Sequence, residues 1–187
     1  MSLERHRQLM LALDRGLLPN EPARVLHFVP EKILEQRFRA RWGAYQTADL
    51  FQPADFKLNM EAIDLPDATS VDLIIANHVL EHVNDPKAPR ELSRILRPNG
   101  VLLCMAPIIE GWATTYENPD ITTDEGRMLR FGQEDHVRFY GRDIRDRITK
   151  GGFNLREEIT AEGEDVIRYG LVRWERVFVF HKAALGG

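Results

Sequence analysis

Short apolar runs alternate with polar segments along this chain. The runs at 23–29, 71–77 and 101–107 are apolar enough to form strands buried on both faces of a sheet. Between the last two lie a polar crossover with a helix and the turn Pro98-Asn99-Gly100. A strand, a crossover helix and a second strand in this order make one βαβ unit of a parallel sheet.

The rest of the pattern continues this alternation. A lead-in helix is predicted within residues 1–20, because apolar side chains there have helical spacing and a glycine and a proline follow. The apolar residues are Leu3, Met10, Leu13 and Leu17, and the helix is expected to end at Gly16 and Pro19. The other predicted elements are helices at 31–42 and about 141–150 and strands at 43–50, 56–60, 153–160 and 174–181. Such alternation indicates an α/β fold of three layers.

Length and composition favour one domain covering residues 1–187. Of the 187 residues, 43% are hydrophobic and 29% charged, which is enough for one substantial core. The net charge of −4 gives no basic field that would favour a nucleic acid. The single Cys104 allows no internal disulfide, and no apolar run approaches the length of a membrane span. The charges close to Met1 are unlike a signal peptide, so we expect a cytoplasmic protein of undetermined oligomeric state.

Candidate binding residues follow the ends of the first four predicted strands. In an open α/β sheet, ligands bind in the crevice beyond the carboxyl ends of the strands. Asp49 lies about twenty residues after the first strand, the spacing at which a carboxylate accepts hydrogen bonds from ribose hydroxyls. The alternative is an aspartate that caps the turn before Phe51. The residues at the four strand ends are Val29, Pro30, Glu31, Asp49, Glu61, Asn77 and His78.

Several motifs occur together around these strand ends. In chain order they are an acidic-Leu-Pro turn at 64–66, the strand VDLIIAN at 71–77, HVLEHV at 78–83 and LRPNG at 96–100. This order resembles class I S-adenosylmethionine-dependent methyltransferases. LHFVPEK at 26–32 and FGQEDHVRFYG at 131–141 are similar to one type 11-like subgroup of that family, so the resemblance spans residues 24–181.

The resemblance implies a Rossmann-like fold with a mostly parallel seven-stranded sheet and an antiparallel strand near the C-terminus. It also implies S-adenosylmethionine as cofactor and methyl transfer to a small molecule or a glycan or lipid intermediate. In this pattern Asp49 accepts the ribose hydroxyls, and Glu61 with the backbone of Ala62 binds the adenine, although Glu61 is otherwise a solvated loop residue. The implied cofactor-binding residues are His27, Val29, Pro30, Glu31, Asp49, Leu50, Glu61, Ala62, Asn77 and His78.

The first loop departs from the family pattern. Methyltransferases of this class usually have a glycine-rich stretch after the first strand, whereas residues 27–31 contain no glycine. S-adenosylmethionine has no phosphate, so this loop need not bind an anion. Glu31 either pairs with the ammonium of the cofactor or caps the following helix. The missing glycines keep a second hypothesis open, a methyltransferase-like binding module without catalytic activity.

A competing motif overlaps the fourth strand end. His78, Glu81 and His82 have the HxxEH spacing of zinc hydrolases, in which two histidines on one helix bind the metal. Such a pair needs a long helix, whereas here an apolar strand ends at Asn77 and the Asn-Asp-Pro segment 84–86 interrupts any helix. We therefore rank a zinc hydrolase third and predict no metal site.

The segment 108–140 has little periodicity and is long for a connection in a compact domain, so we predict a lid over the substrate. Histidine ordinarily titrates near neutrality, which makes His136 the candidate catalytic base. The alternative is a structural role for the pair Asp135-His136. Arginines between 127 and 147 form either a solvated helix face or a site for a substrate carboxylate or phosphate. The predicted substrate-binding residues are Gln133, Asp135, Arg138 and Tyr140.

Overall fold

A seven-stranded sheet lies at the centre of the computed structural model, which describes residues 3–18, 22, 24–67 and 71–184. Its strands are β1 (Val25–Phe28), β2 (Tyr45–Asp49), β3 (Phe56–Lys57), β4 (Val71–Asn77), β5 (Leu96–Met105), β8 (Phe153–Thr160) and β9 (Arg176–Lys182). A separate pair consists of β6 (Tyr116–Glu117) and β7 (Arg138–Phe139). The helices are α1 (Glu4–Asp14), α2 (Lys32–Arg41), α3 (Ala88–Ile95), α4 (Asp124–Phe131), α5 (Ile144–Thr149) and α6 (Glu164–Tyr169).

The strand order confirms the predicted topology. The order across the sheet is β3-β2-β1-β4-β5-β9-β8. The neighbours from β3 to β5 pair in parallel, with Leu26 of β1 opposite Ile74 of β4. Strand β9 runs antiparallel to both β5 and β8. The carboxyl ends of the five parallel strands therefore lie along one edge of the sheet.

Strand β4 shows why the molecule needs three layers. All seven of its residues are buried, and alternate side chains point to opposite faces. Leu73 and Ile75 pack in a core that also contains residues of α1 and α2. Ile74 and Ala76 pack in a second core with residues of α3 and α5. Apolar side chains on both faces require helices on both faces, as the apolar runs in the sequence predict.

The lead-in helix buries a different stripe from the one predicted. Leu9 and Leu13 are buried in α1, whereas Leu3 and Leu17 lie outside the helix and are each about two-fifths exposed. His6 and Gln8 occupy the buried face instead, and the Gln8 amide donates to the carbonyls of Ile159 and Glu175. Gly16 follows the helix with a φ of 71°, whereas Pro19 is outside the described residues. Polar contacts with the loop before β9 thus fix one side of α1.

The segment 108–140 is more organised than its sequence pattern indicates. Tyr116 of β6 pairs with Phe139 of β7, and their rings belong to an aromatic cluster with Trp112 and Phe131. Helix α4 lies between these strands and begins at Thr123, whose hydroxyl accepts from the Gly126 N–H. The excursion therefore has a small apolar core of its own. In the described part of the chain, no helix combines the length and apolar character of a membrane span.

Leu92 tests how much the α3 layer contributes to the free energy of unfolding. Its side chain is fully buried against the sheet, so Leu92→Ala leaves a cavity and should lower the free energy of unfolding by about 2–5 kcal/mol. Leu129→Ala on α4 is the matched control, because Leu129 is 80% exposed and should cost less than about 0.5 kcal/mol. Urea denaturation measures both values. Equal losses in the two variants would contradict the assigned layer.

Candidate functional site

The chain turns sharply where β4 ends. Asn77 is the last residue of the strand, and His78 follows with a φ of 52°, a left-handed conformation that is uncommon outside glycine. The His78 N–H donates to the carbonyl of Met105 at the end of β5, at 2.8 Å. A single 3₁₀ turn, Leu80–His82, comes next, and α3 begins only at Ala88. Strained backbone of this kind is found mostly at functional sites.

A cleft of about 880 Å³ opens beside this turn. Its walls come from the N-terminus of α1, the ends of β4 and β5, the segment 133–136 and the loop before β9. Of the predicted site residues, His78, Gln133 and His136 line it. The other lining residues are Glu4, Arg5, Glu81, His82, Ala106, Pro107, Ile108, Glu110, Val172, Arg173, Trp174, Glu175 and Arg176.

Glu81 lies at the base of the cleft and is 1% exposed. Neither of its carboxylate oxygens has a hydrogen-bond partner among the residues that the structure describes. Its backbone carbonyl accepts from the N–H of Val137, which joins the 3₁₀ turn to the segment before β7. A buried carboxylate without hydrogen bonds is costly, so this group calls for a compensating charge.

His78 supplies part of that charge. Its Nδ1 lies 3.5 Å from Glu81 Oε1, and its Nε2 lies 3.6 Å from Glu175 Oε1. Burial opposes the charged imidazole, but the two carboxylates outweigh burial and raise the pKa of His78 to about 9. The cleft therefore contains a histidine cation between two glutamates at neutral pH.

His82 and His136 meet on the other side of Glu81. Their ring centroids are 4.7 Å apart at an interplanar angle of 78°. Nδ1 of His82 is 3.2 Å from both the carbonyl and a carboxylate oxygen of Asp135. Nδ1 of His136 is buried and has no partner in the described ranges, and burial lowers the pKa of this imidazole. Asp135 thus holds His82, while His136 keeps an unpartnered nitrogen in the cleft.

The first loop has a glycine-like conformation without a glycine. Val29 follows β1 with a φ of 48°, in the left-handed region, and is 45% exposed. Pro30 is partly buried. Glu31 precedes α2, and its Oε1 accepts from Arg5 Nε at 3.2 Å and lies 3.3 Å from His6 Nε2. Its second oxygen is buried and unpartnered within the described chain.

His27 does not reach this edge. Its side chain is fully buried within β1, where Nδ1 is 2.7 Å from the Tyr45 hydroxyl and the ring packs near Phe38. Burial lowers the pKa of His27 to about 3. Side chains alternate along a strand, so one that faces α2 cannot also line the carboxyl edge. The structure departs here from the cofactor-binding role expected for the His27 side chain.

Asp49 and Glu61 lie at the next two strand ends. One oxygen of Asp49 accepts from the backbone N–H groups of Phe51 and Gln52, at 2.7 and 2.9 Å. Asp49 therefore caps its turn, as the alternative interpretation predicts, and the partly buried Leu50 lies within that turn. Glu61 Oε1 accepts from the N–H of Asn84 at 2.9 Å.

Two further expectations at this edge concern Ala62 and Asn77. The backbone N–H of Ala62, expected to serve the adenine, donates to the carbonyl of Asn59 at 3.0 Å. Asn77 is 3% exposed, and its side-chain oxygen is unpartnered in the part of the chain that is described. The turn at Ala62 is thus closed on itself, whereas Asn77 retains a free acceptor.

Arg138 and Tyr140 are not in the cleft. The Arg138 guanidinium is buried and donates to the carbonyls of Leu80 and Val83, and the Tyr140 hydroxyl donates to the Leu80 carbonyl. They hold the 3₁₀ turn against β7, so the structure does not bring them to the place expected for substrate contact. Among the predicted substrate-binding residues, Gln133 lines the cleft and Asp135 contacts His82.

The arginine cluster holds the segments together. Arg147 pairs with Asp85, Glu117 and Asp143, which join the chain after the 3₁₀ turn to β6 and α5. Arg145 pairs with Glu110 and Glu158. These two side chains are neither a solvated helix face nor free to bind an anion, because carboxylates already occupy their guanidinium groups.

Comparison with known proteins finds a family model that matches part of the sequence. Residues 24–104 match the family model described as a methyltransferase domain. No sequence among the curated proteins matches the chain. The match to the methyltransferase domain model confirms the resemblance to class I S-adenosylmethionine-dependent methyltransferases over residues 24–104.

Solved structures extend this likeness, as a likeness of fold, over nearly the whole chain. An S-adenosylmethionine dependent methyltransferase from Mesorhizobium loti shares 13% identity and a TM-score of 0.63, over 94% of this chain and 98% of that one. The 1,6-didemethyltoxoflavin-N1-methyltransferase of Burkholderia thailandensis, with bound 1,6-didemethyltoxoflavin and S-adenosylhomocysteine, has 14% sequence identity and a TM-score of 0.63, over 97% of this chain and 78% of that one. The [4+2]-cyclase SpnF also matches, with 14% sequence identity and a TM-score of 0.63, over 96% of this chain and 82% of that one.

Sequence reasoning does not identify the roles of two charged residues of the cleft, Glu81 and Glu175. Glu81 lies inside the HxxEH motif, so its position signals chemistry, but nothing local indicates that it is buried and unpartnered. Glu175 comes from the loop before β9 and reaches His78 across 97 positions of sequence, 175 − 78. Only the folded sheet reveals that pairing.

Arg138 tests the anchoring of the 3₁₀ turn. Arg138→Met removes the donors to two buried carbonyls, so the free energy of unfolding should fall by about 1–3 kcal/mol. Arg130→Met, an exposed position on α4, is the control and should stay within about 0.5 kcal/mol of the wild type. Chemical denaturation followed by circular dichroism compares the two. An unchanged stability of Arg138→Met would contradict the anchoring role.

Proposed function

We propose that the protein binds S-adenosylmethionine along the carboxyl edge of β1 to β4 and transfers its methyl group to an acceptor in the cleft. The family match supports methyl transfer in general terms. The observation on which the proposal rests most is the set of acidic side chains at this edge: Glu31 after β1, Asp49 at the end of β2 and Glu61 after β3.

The donors of the cofactor suit these acceptors. S-adenosylmethionine presents an ammonium, two ribose hydroxyls and an adenine amino group, all of which donate hydrogen bonds, and a carboxylate is an acceptor only. Glu31 has a buried oxygen without a partner among the described residues, and so has Asn77. These orphaned acceptors fit a ligand with donors, which supports the cofactor although the first loop lacks glycine.

Each edge residue has a proposed role. Asp49 accepts the ribose hydroxyls, with its second oxygen beside the one that caps the turn, and Glu61 faces the adenine. Glu31 pairs with the ammonium and exchanges its contact with Arg5 for that bond. Asn77 and His78 border the cofactor where it meets the acceptor. The left-handed backbone of Val29 gives the first loop a conformation that glycine adopts readily, although the loop contains no glycine.

The cofactor, when bound, supplies a methyl group on a positively charged sulfur. The protein then mainly has to hold the acceptor in line, since positioning alone accounts for much of the rate of such a displacement. Gln133 and His136 line the cleft and are placed to contact the acceptor. We assign to His136 the role of catalytic base, because its unpartnered ring nitrogen can accept the proton of the nucleophilic group on the acceptor.

We propose a small molecule as the acceptor, with glycan or lipid intermediates as further candidates. The cleft is lined by both acidic and basic side chains and by Trp174, which suits a polar molecule with a flat or apolar part. The Burkholderia thailandensis neighbour has a small heterocycle bound. Fold alone does not decide the acceptor, since a cyclase has the same fold.

Asp49 tests the cofactor assignment. Asp49→Asn keeps an acceptor for the turn but lowers the charge, and should weaken S-adenosylhomocysteine binding tenfold or more, about 1–2 kcal/mol for charge-assisted hydrogen bonds. Asp146→Ala on α5, exposed and away from this edge, should leave the affinity unchanged. Isothermal calorimetry measures both. Equal affinity of Asp49→Asn and wild type for S-adenosylhomocysteine, or no binding by the wild type, would contradict the proposal.

The segment 108–140 is proposed as the substrate lid, because His136 and Gln133 belong to it and line the cleft. Saturating S-adenosylhomocysteine should therefore slow backbone hydrogen exchange across 108–140. Residues 88–95 of α3, which are packed in the core, serve as the internal reference and should not change. Mass spectrometry after timed exchange gives both signals. Unchanged protection of 108–140 on ligand saturation would count against a lid.

A further inference from the structure

Three metal-ligating side chains converge at the base of the cleft. One oxygen of Glu81 and one ring nitrogen each of His82 and His136 lie within 4.8 Å of one another. All three residues line the cleft. The group thus consists of two histidines and one carboxylate. This combination of ligands binds divalent transition metals in many proteins.

From this cluster we propose a site for a divalent transition metal ion, Zn²⁺ in the first instance, on Glu81, His82 and His136. Metal–nitrogen and metal–oxygen distances of about 2.0–2.2 Å put tetrahedral ligand atoms about 3.3–3.6 Å apart. The observed 4.8 Å limit thus requires the atoms to approach by no more than about 1.5 Å, which side-chain rotation supplies. Three protein ligands leave a fourth position open to the cleft.

The second observation is the unmet hydrogen-bonding capacity of the ligands. Both oxygens of Glu81 are buried without partners in the described chain, although the residue is only 1% exposed. Nδ1 of His136 is likewise buried and unpartnered there, with the residue 7% exposed. Buried polar atoms without partners are rare in native proteins and often mark a water or an ion. A cation satisfies both groups at once.

Asp135 completes the arrangement. It contacts Nδ1 of His82 through its carbonyl and its carboxylate, both at 3.2 Å. A carboxylate that accepts from one ring nitrogen fixes the tautomer and leaves the other nitrogen as the metal ligand, which is the usual surrounding of a metal-bound histidine. His82 is thus oriented for coordination rather than for packing alone.

This site differs from the one that the HxxEH motif suggests. From the sequence we predict no metal site, because no long helix presents His78 and His82 together, and the short 3₁₀ turn agrees with that reason. The proposed site departs from that prediction, because it uses a histidine from another segment. The left-handed backbone turns His78 toward Glu175 instead. His136, which is distant in sequence, is the third proposed ligand beside Glu81 and His82. If the ion binds, His136 would be one of its ligands, and the ring nitrogen that coordinates the ion would not be free to accept a proton from the acceptor.

The alternative is a cleft without an ion, in which the cation of His78 alone balances Glu81 across 3.5 Å. The test reads ion binding and not activity, so it is independent of the proposed methyl transfer. Chelator-treated, untagged protein is titrated with ZnCl₂ by calorimetry and with CoCl₂ by visible absorption. We expect about one ion per chain and d–d bands of a low-coordinate Co²⁺ site with nitrogen and oxygen ligands.

Variants identify the ligands. Glu81→Gln and His136→Ala should each weaken binding tenfold or more, and Asp135→Asn by about tenfold through the outer shell. His82→Ala, at the partly exposed ligand, keeps the test decisive should a buried variant fail to fold. His181→Ala on β9, a partly buried histidine that does not line the cleft, is the control and should bind as the wild type does.

Two results would overturn the site. The first is a wild-type protein that binds no stoichiometric Zn²⁺ or Co²⁺, which leaves the His78–Glu81 pair as the full account of the buried charge. The second is equal binding by wild type and His82→Ala, which assigns the ion to unrelated surface groups. Thermal unfolding gives a parallel readout, since Zn²⁺ should raise the melting temperature of the wild type and not of the ligand variants.

Discussion

Burial of β4 on both faces is the constraint on which the rest of the structure depends. Seven consecutive buried residues require helices above and below, and these helices close the two faces of the sheet to any ligand. Apart from Asp72 near its amino end, β4 is apolar until its carboxyl end, where Asn77 and His78 follow. The carboxyl edge is then the place where side chains with chemistry are exposed, and the cleft lies there.

The turn after β4 is fixed by contacts from both sides. His78 binds the end of β5 through its backbone, and Arg138 and Tyr140 hold the carbonyls that follow. This fixation keeps Glu81 buried, although water would solvate its charge far better. Rigid support around a costly group is typical of sites that bind charged ligands. The same support explains why Arg138 and Tyr140 are structural residues.

Much of the fold can be predicted from the sequence, because it follows from local pattern. The apolar run at 71–77 becomes β4, and the run at 101–107 forms the second half of β5. The predicted seven-stranded, mostly parallel sheet with an antiparallel strand near the C-terminus is confirmed. The site is less accessible to such reasoning. The alternation of side chains along β1 turns His27 to the interior, and the pairing of His78 with Glu175 depends on a contact between distant segments. The pattern of apolar and polar residues predicts which residues form a helix or strand. Tertiary contacts decide where each side chain points and what it contacts.

The central claim is that the carboxyl edge binds S-adenosylmethionine despite a first loop without glycine. A crystal structure of the protein with S-adenosylhomocysteine tests it most directly. The account predicts the ligand across the ends of β1, β2 and β3, with the ribose on Asp49, the adenine near Glu61 and the ammonium of the amino-acid part near Glu31. A ligand located elsewhere on the molecule, or no bound ligand at saturating concentration, would contradict the account.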